Sequence, residues 1–539
     1  MSLRFISFAV VGLLAGLQLI AAAPLEPRTW YRSLSTPHGD ISGLSTADGT
    51  RYTVPYAQPP TGERRFLDPV ALSAFSSHNG AALANVCPQS TAYGNIGDED
   101  CLYMNVYTPP NAASTSKLPV FFWVHGGSFI SGGASNLDAS EFAKSQNAVV
   151  VVVQYRLGAL GWILHSGSQN MGLKDVIMAL KFVQSDISAY GGDPSKVTLA
   201  GQSSGAEIVK SLLVTPSATS LYARAILQSA PLDTADQSPA VGRRVSNKFR
   251  SLVSCGTLAC LQNLDLDVIL NAQNTIINSQ AADQTYLGYD VAFNEPIRTI
   301  IDGSLIPRDW RQAVSSGQLE GSTKEIIFTT TKDEGCASIF ALFPNALPLA
   351  KYGAAIAQQY VIEPAVEQAY HNRKPSILAS GLYNTSTLDS SADLRDDLLR
   401  LVTDYSWVCS NQKSALGISS GTGFSQKVYL GEFDLGVSFY KDALAYCVGK
   451  INHQDDIYTI FSRGDSLTSV QQALVSEVRA RWGAFIKTGV PTASGYSAWP
   501  TVSAKSGDLN VLVLGGTGNG KSTLSKAQRT EQCAAYTYT

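Results

Sequence analysis

Two periodicities divide the chain. Leu118 to Val124 and Ala148 to Val153 predict strands, the second so uniformly β-branched that burial on both faces is expected. Glu325 to Thr330 and Lys427 to Phe433 predict two more. Between strands the period lengthens: Val176, Leu180, Val183 and Ile187 form one apolar face of a helix from Gly172 to Ser188. Strands alternating with helices predict an α/β fold, a central mostly parallel sheet with helices on both faces. Chemistry in such sheets gathers at the carboxyl ends of the strands.

One junction stands out. Val197 to Ala200 predict a buried strand, Gly201-Gln202-Ser203-Ser204-Gly205 follows, and Ile208, Val209, Leu212 and Leu213 then recur at helical spacing. The five residues match G-x-S-x-G, in which a strand turns sharply into a helix and forces the Ser into a strained conformation. Flanking glycines tolerate the crowding because they lack a Cβ. The hydroxyl is pushed out beside helix amides that favour developing negative charge. Ser203 is the candidate nucleophile.

Its partners are sought at other strand ends. His125-Gly126-Gly127-Ser128 ends the Leu118 strand. The amides of Gly127 and Ser128, with that of Ser204, are the expected oxyanion hole, Gly126 shaping the turn and His125 holding the loop. The chain has six histidines; a Ser, acid, His order leaves His371 and His453 as bases. His371 reads as a surface residue ahead of Pro375, whereas His453 lies in a loop after a strand and is the chosen base. For the acid that orients the imidazole, Asp333 and Glu334 both follow the Glu325 strand and stay open.

Composition narrows the setting. A net charge of −3 gives no reason to expect nucleic acid or an anionic membrane as partner. Met1 to Arg4, the apolar run Phe5 to Ile20 and Ala21-Ala22-Ala23 read as a signal peptide over residues 1–23, leaving 24–539 as one secreted, soluble domain with no integral membrane segment. Eight cysteines without a C-x-x-C pair point to disulfides, Cys87 with Cys101 and Cys255 with Cys260 being the close pairs. Cys336, Cys409, Cys447 and Cys533 are left unpaired by spacing, and Asn384-Thr385-Ser386 is a glycosylation sequon. Asn510 to Leu514 running into Gly515 to Ser522 fits a phosphate loop locally, but too little chain follows for the sheet and metal-binding acid of phosphoryl transfer.

Together, Gly201 to Ala206, His125-Gly126-Gly127, Glu99 to Val106, Gln154 to Gly158 and Lys332 to Gly335 resemble the type-B carboxylesterase/lipase family, which includes the cholinesterases, and its secreted fungal members in particular. The resemblance runs from about Gly39 to Cys533. It implies an α/β-hydrolase fold and a triad carried by Ser203, Glu334 and His453. It further implies the Cys87–Cys101 and Cys255–Cys260 bridges, with Cys533 or Cys447 as the partner of Cys409. The expected activity is hydrolysis of a small-molecule or lipid carboxylic ester through an acyl-enzyme, with no metal and no organic cofactor. The alternative is a catalytically silent binding protein on the same scaffold, as the family's neuronal adhesion members are; retention of all three triad residues argues against it.

Three departures qualify the likeness. Gln202 stands where Glu is usual, which disfavours cationic esters; Gln454 stands where Gly follows the family's His; Ser128 replaces Gly or Ala. The Cys87–Cys101 segment, where the family's lipases carry a lid, is short and polar, which favours soluble or small esters over emulsified fat. The sequence carries no signal for oligomeric state.

Overall fold

The computed structural model describes residues 30–165, 167–232, 236–279, 295–320, 324–351, 392–421, 427–437, 444–461, 466–503, 509–526 and 533–534. Residues 1–23, His371 and Asn384 lie outside them. The described strands are β1 (Trp30–Thr36), β2 (Gly39–Thr46), β3 (Gly49–Pro55), β4 (Ser77–Asn79), β5 (Gln89–Thr91), β6 (Gly94–Ile96), β7 (Tyr103–Thr108), β8 (Leu118–Val124) and β9 (Val149–Val153). They continue with β10 (Gly192–Gln202), β11 (Arg224–Gln228), β12 (Glu325–Thr331), β13 (Val428–Phe433), β14 (Asn510–Leu514) and β15 (Thr523–Lys526). One sheet takes the order β1-β2-β3-β7-β9-β8-β10-β11-β12-β13-β14-β15, with β4 beside β2. From β9 across to β14 all neighbours are parallel. Antiparallel pairs lie toward the edges.

Alternation along the strands sorts side chains into two cores. Val120, Phe122, Val124, Val149, Val151 and Val153 enter one apolar layer, while Phe121, Trp123, Val150 and Val152 enter the other. The first layer is covered by the helices Met171–Asp186 and Ser204–Leu213 through Val176, Leu180, Val183, Ile208 and Leu212. The second is covered by Ser469–Thr488 through Leu474, Val478, Trp482 and Phe485. Helices on both faces leave only the strand ends open for chemistry. No described helix is long and apolar enough to cross a membrane.

Several of the sequence motifs turn out to be braces. Arg156 makes a buried bidentate pair with Asp175, Nη2 to Oδ1 at 2.6 Å and Nε to Oδ2 at 2.8 Å. Arg65 Nε donates to Glu99 Oε2 at 2.7 Å. Disulfides join Cys87 to Cys101, Cys255 to Cys260, Cys336 to Cys447 and Cys409 to Cys533. The glycine-rich tract after β14 is a hairpin turn: β14 pairs antiparallel with β15, with Val513 opposite Thr523. A phosphate loop needs a helix at that point, and a strand occupies it.

Candidate active site

β10 leads into Ser203, and the helix Ser204–Leu213 begins at the next residue. Ser203 takes φ 56° and ψ −130°, a conformation that costs a non-glycine residue strain. Backbone hydrogen bonds hold it there: its N–H donates to Gln228 O at 3.0 Å, and its carbonyl accepts from Glu207 N at 3.0 Å. A Cβ on Gly201 would meet Gly205 O at 2.4 Å, and one on Gly205 would meet Val124 O at 2.2 Å. The turn therefore closes only with glycine at both positions.

Opposite lies the loop after β8. Phe129 N–H donates to Ser204 Oγ at 3.2 Å, and the N–H groups of Ile130 and Ser131 both donate to Gly127 O at 3.0 Å. Gly127 and Ser128 precede these committed amides and line the same cavity as Ser203. His125 Nδ1 lies 2.8 Å from Gly126 O, its carbonyl accepts from Tyr155 Oη at 2.9 Å, and its ring stacks on Tyr155. Burial pushes the His125 imidazole down to about 4, so it is neutral at working pH and holds the loop.

His453 follows β13 in a turn before the helix Asp455–Phe461. Its Nδ1 lies 2.5 Å from Glu334 Oε2, while Glu334 Oε1 accepts from Thr331 N at 2.7 Å. The two acids that residue spacing alone left open take different partners. Asp333 faces the chain before His453: its Oδ2 accepts from Ile451 N at 2.9 Å, and its N–H donates to Ile451 O at 3.0 Å. The Cys336–Cys447 bridge ties the same two loops together.

Ser203, His453 and Glu334 line one cavity of about 140 Å³ together with Gly126, Gly127 and Ser128. Gln202, which the sequence marked only as a substrate-charge departure, lines the cavity with Trp407 and Glu295, and Asp456 and Gln89 stand behind its wall; sequence reading gave the last four no role in the site. Gln202 Nε2 lies 3.2 Å from His453 Nε2. Trp407, on a π-helical turn Asp404–Val408, sets its ring 5.6 Å from that of His453 and donates from Nε1 to Ser229 O at 3.0 Å. Asp456 Oδ2 accepts from Gln228 Nε2 at 2.9 Å. Glu295 lines the cavity, and Gln89 exchanges two hydrogen bonds with Gly132, Nε2 to O at 2.8 Å and N to Oε1 at 2.9 Å. Apart from Gln202, which lies inside the G-x-S-x-G motif, none has a local signature except the i+3 spacing of Asp456 from His453.

The charges that act most strongly on His453 are acidic. Burial pushes His453 down, but the charge and hydrogen bond of Glu334, with Asp456 and Glu295 behind them, outweigh it and leave the ring above its ordinary value. Burial, and then the Glu334 charge, push Asp456 up to about 6. Burial likewise raises Glu295. No cluster of metal-ligating side chains occurs among the described residues.

The carboxylesterase family model matches residues 32–535. Mouse (Mus musculus) carboxylesterase 1D is 28% identical over 503 residues, covering 88% of this chain and 86% of its own. Human (Homo sapiens) carboxylesterase 5A is 28% identical over 479 residues, covering 83% and 78%. A solved PNB esterase superposes with a TM-score of 0.74 at 23% identity, covering 94% of this chain and all of that one, which shows the shared fold. The chain belongs to the carboxylesterase family and is a carboxylic-ester hydrolase of the α/β-hydrolase fold.

Proposed function

We propose that residues 24–539 form a single secreted domain, released from a signal peptide over residues 1–23, that hydrolyses carboxylic esters through a Ser203–His453–Glu334 triad and an acyl-enzyme. The observation that carries the mechanism is the strained Ser203 in a cavity whose wall also holds His453, with Glu334 on its Nδ1. Engagement of Nδ1 leaves Nε2 as the nitrogen that takes the Ser203 proton as Oγ attacks the ester carbonyl. Glu334 stabilises the resulting imidazolium. The N–H groups of Gly127, Ser128 and Ser204 receive the oxyanion, with Gly126 shaping their approach. His453 then protonates the leaving alcohol, and water activated by the same ring releases the acid. The chemistry calls for no metal or organic cofactor.

The cavity of about 140 Å³ favours compact, soluble esters, and its lining contains acids but no Lys or Arg among the described residues. Neutral esters therefore fit it better than esters bearing a second carboxylate. A p-nitrophenyl ester series from acetate to palmitate, run on the mature protein and on Ser203→Ala, tests the reading. Turnover that peaks at short acyl chains and vanishes in the variant is expected. A folded wild type inert toward every ester would sink it and leave the silent binding protein in its place.

A further inference from the structure

Two buried carboxyls lie beside the nucleophile and take no part in the proposed chemistry. Glu207 stands one turn into the helix Ser204–Leu213, where its N–H donates to Ser203 O at 3.0 Å. Its side chain is fully buried, and neither carboxyl oxygen has a hydrogen-bond partner among the described residues; Lys210 Nζ lies 3.8 Å from Oε1. Glu295 is 6% exposed and lines the cavity that holds Ser203 and His453. Its backbone carbonyl accepts from Arg298 Nη1 at 2.8 Å, while its carboxyl accepts no hydrogen bond from a described residue. Asp236, the third acid of this cluster, is served instead: its Oδ1 accepts from the Thr299 hydroxyl and lies 3.3 Å from Lys210 Nζ. A buried polar group without a partner is costly, and in the wall of a cavity it is a place for a polar group of the ligand.

Resting on the proposed Ser203–His453–Glu334 chemistry, we propose that Glu295 is a specificity-determining residue that hydrogen-bonds a hydroxyl group of the substrate. The preferred substrates are then neutral esters carrying an alcohol function in the acyl chain or in the leaving group. Electrostatics supply the reason for a hydroxyl. Burial raises both carboxyls, the Glu295 charge raises Glu207 further, and Arg298 already opposes the negative charge of each. Two carboxyls buried side by side do not both ionise, so the pair holds a proton. Glu295 can therefore offer the cavity an O–H as well as lone pairs. A hydroxyl both donates and accepts, and it matches that group in either protonation state. An ammonium needs the ionised form and meets a cluster that already contains Lys210 and Arg298. The bond is made at the cavity wall and engages neither Ser203 Oγ nor His453 Nε2.

The test measures kcat/KM by acid release for ester pairs that differ only in a hydroxyl or a methyl group. Ethyl β-hydroxybutyrate against ethyl isovalerate probes the acyl side, and hydroxyethyl butyrate against propyl butyrate probes the alcohol side. In wild type one hydroxylated ester should exceed its methyl partner by about 10- to 100-fold, and the pair that does so tells which side Glu295 serves. Glu295→Leu should bring that ratio to one or below. Glu295→Gln, whose amide also donates and accepts, should keep most of it. Wild type that discriminates in neither pair overturns the proposal whatever the variants do, and so does a Glu295→Leu variant that keeps the ratio. Faster turnover of ethyl β-aminobutyrate than of the β-hydroxy ester by wild type would also overturn it, since the site would then be ionic. Activity toward these esters that survives in Ser203→Ala overturns instead the triad on which the proposal rests.

Discussion

Phe129 N–H donates to Ser204 Oγ across 3.2 Å, so the side chain that follows Ser203 fastens the loop on the far side of the cavity. The two sources of the proposed oxyanion donors, Gly127 and Ser128 on one side and Ser204 on the other, are thereby held in one rigid piece. Tyr155 braces the loop further, donating from Oη to the His125 carbonyl at 2.9 Å.

Ser204→Ala leaves the Phe129 N–H buried and unpaired, which costs about 1–3 kcal/mol. Thermal or denaturant unfolding should show that loss. Steady-state kinetics should show kcat falling more than KM rises, because a loosened donor set is felt chiefly in the transition state. A variant with wild-type kcat would mean that the loop is held by its other bonds alone.

The acid limb of kcat/KM should lie above the ordinary histidine value of about 6.5, because Glu334 raises His453. In the proposed mechanism the base is the neutral ring, so activity is lost as pH falls through that raised value. Glu334→Gln removes the carboxylate charge. The limb should then move downward and kcat drop on the order of 10³- to 10⁴-fold, while Glu334→Asp should retain part of both. A limb that stays in place in Glu334→Gln would show that another acid sets it.

His125 acts on stability in the opposite sense. Its folded value of about 4 lies below the ordinary 6.5, so the unfolded chain binds more protons between those two values. Stability should therefore rise with pH across that window, and the full change for this group is about 3 kcal/mol. Denaturant melts at pH 4 to 7 should be flatter for His125→Gln than for wild type in this range. Parallel curves would mean that His125 does not titrate there.

The Cys336–Cys447 bridge spans 111 residues of sequence and ties the Glu334 loop to the His453 loop. Replacing both cysteines by Ser should lower stability by about 2–4 kcal/mol and depress kcat as well, since Glu334 and His453 are then joined only by their hydrogen bond and the Asp333 pairs. The corresponding change at Cys255 and Cys260, only 5 residues apart, should leave kcat within about twofold. Equal effects on kcat would remove the bridge from the account of the site.

The glycine-rich hairpin predicts a negative result. Mg-ATP should not raise the melting temperature, because Gly515 to Ser522 connects two antiparallel strands and offers phosphate no helix N-terminus.

Much of the architecture was legible in residues close to one another along the chain. Val149–Val153 reads as a doubly buried strand because five consecutive valines suit no half-exposed element. G-x-S-x-G announces the Ser203 turn because Gly201, Ser203 and Gly205 meet within one turn of chain, and local sterics decide it. The phosphate-loop pattern shows the limit of such reading. Its residues match, yet β15 pairs back onto β14, and only that pairing distinguishes a hairpin from a nucleotide cradle.

What the sequence determined alone was the alternation of strands and helices, the strained serine and a short set of candidates for its partners. Family resemblance chose Glu334 among them, and tertiary structure shows which groups physically meet. Glu334 rather than Asp333 meets His453 across 119 positions, Gln202 meets it across 251, and Cys336 selects Cys447 across 111. Periodicity and motif spacing express interactions within a few residues, where backbone geometry fixes who can touch. The site is made of contacts between strand ends far apart in sequence, and their partners exist only once the sheet has placed those ends side by side.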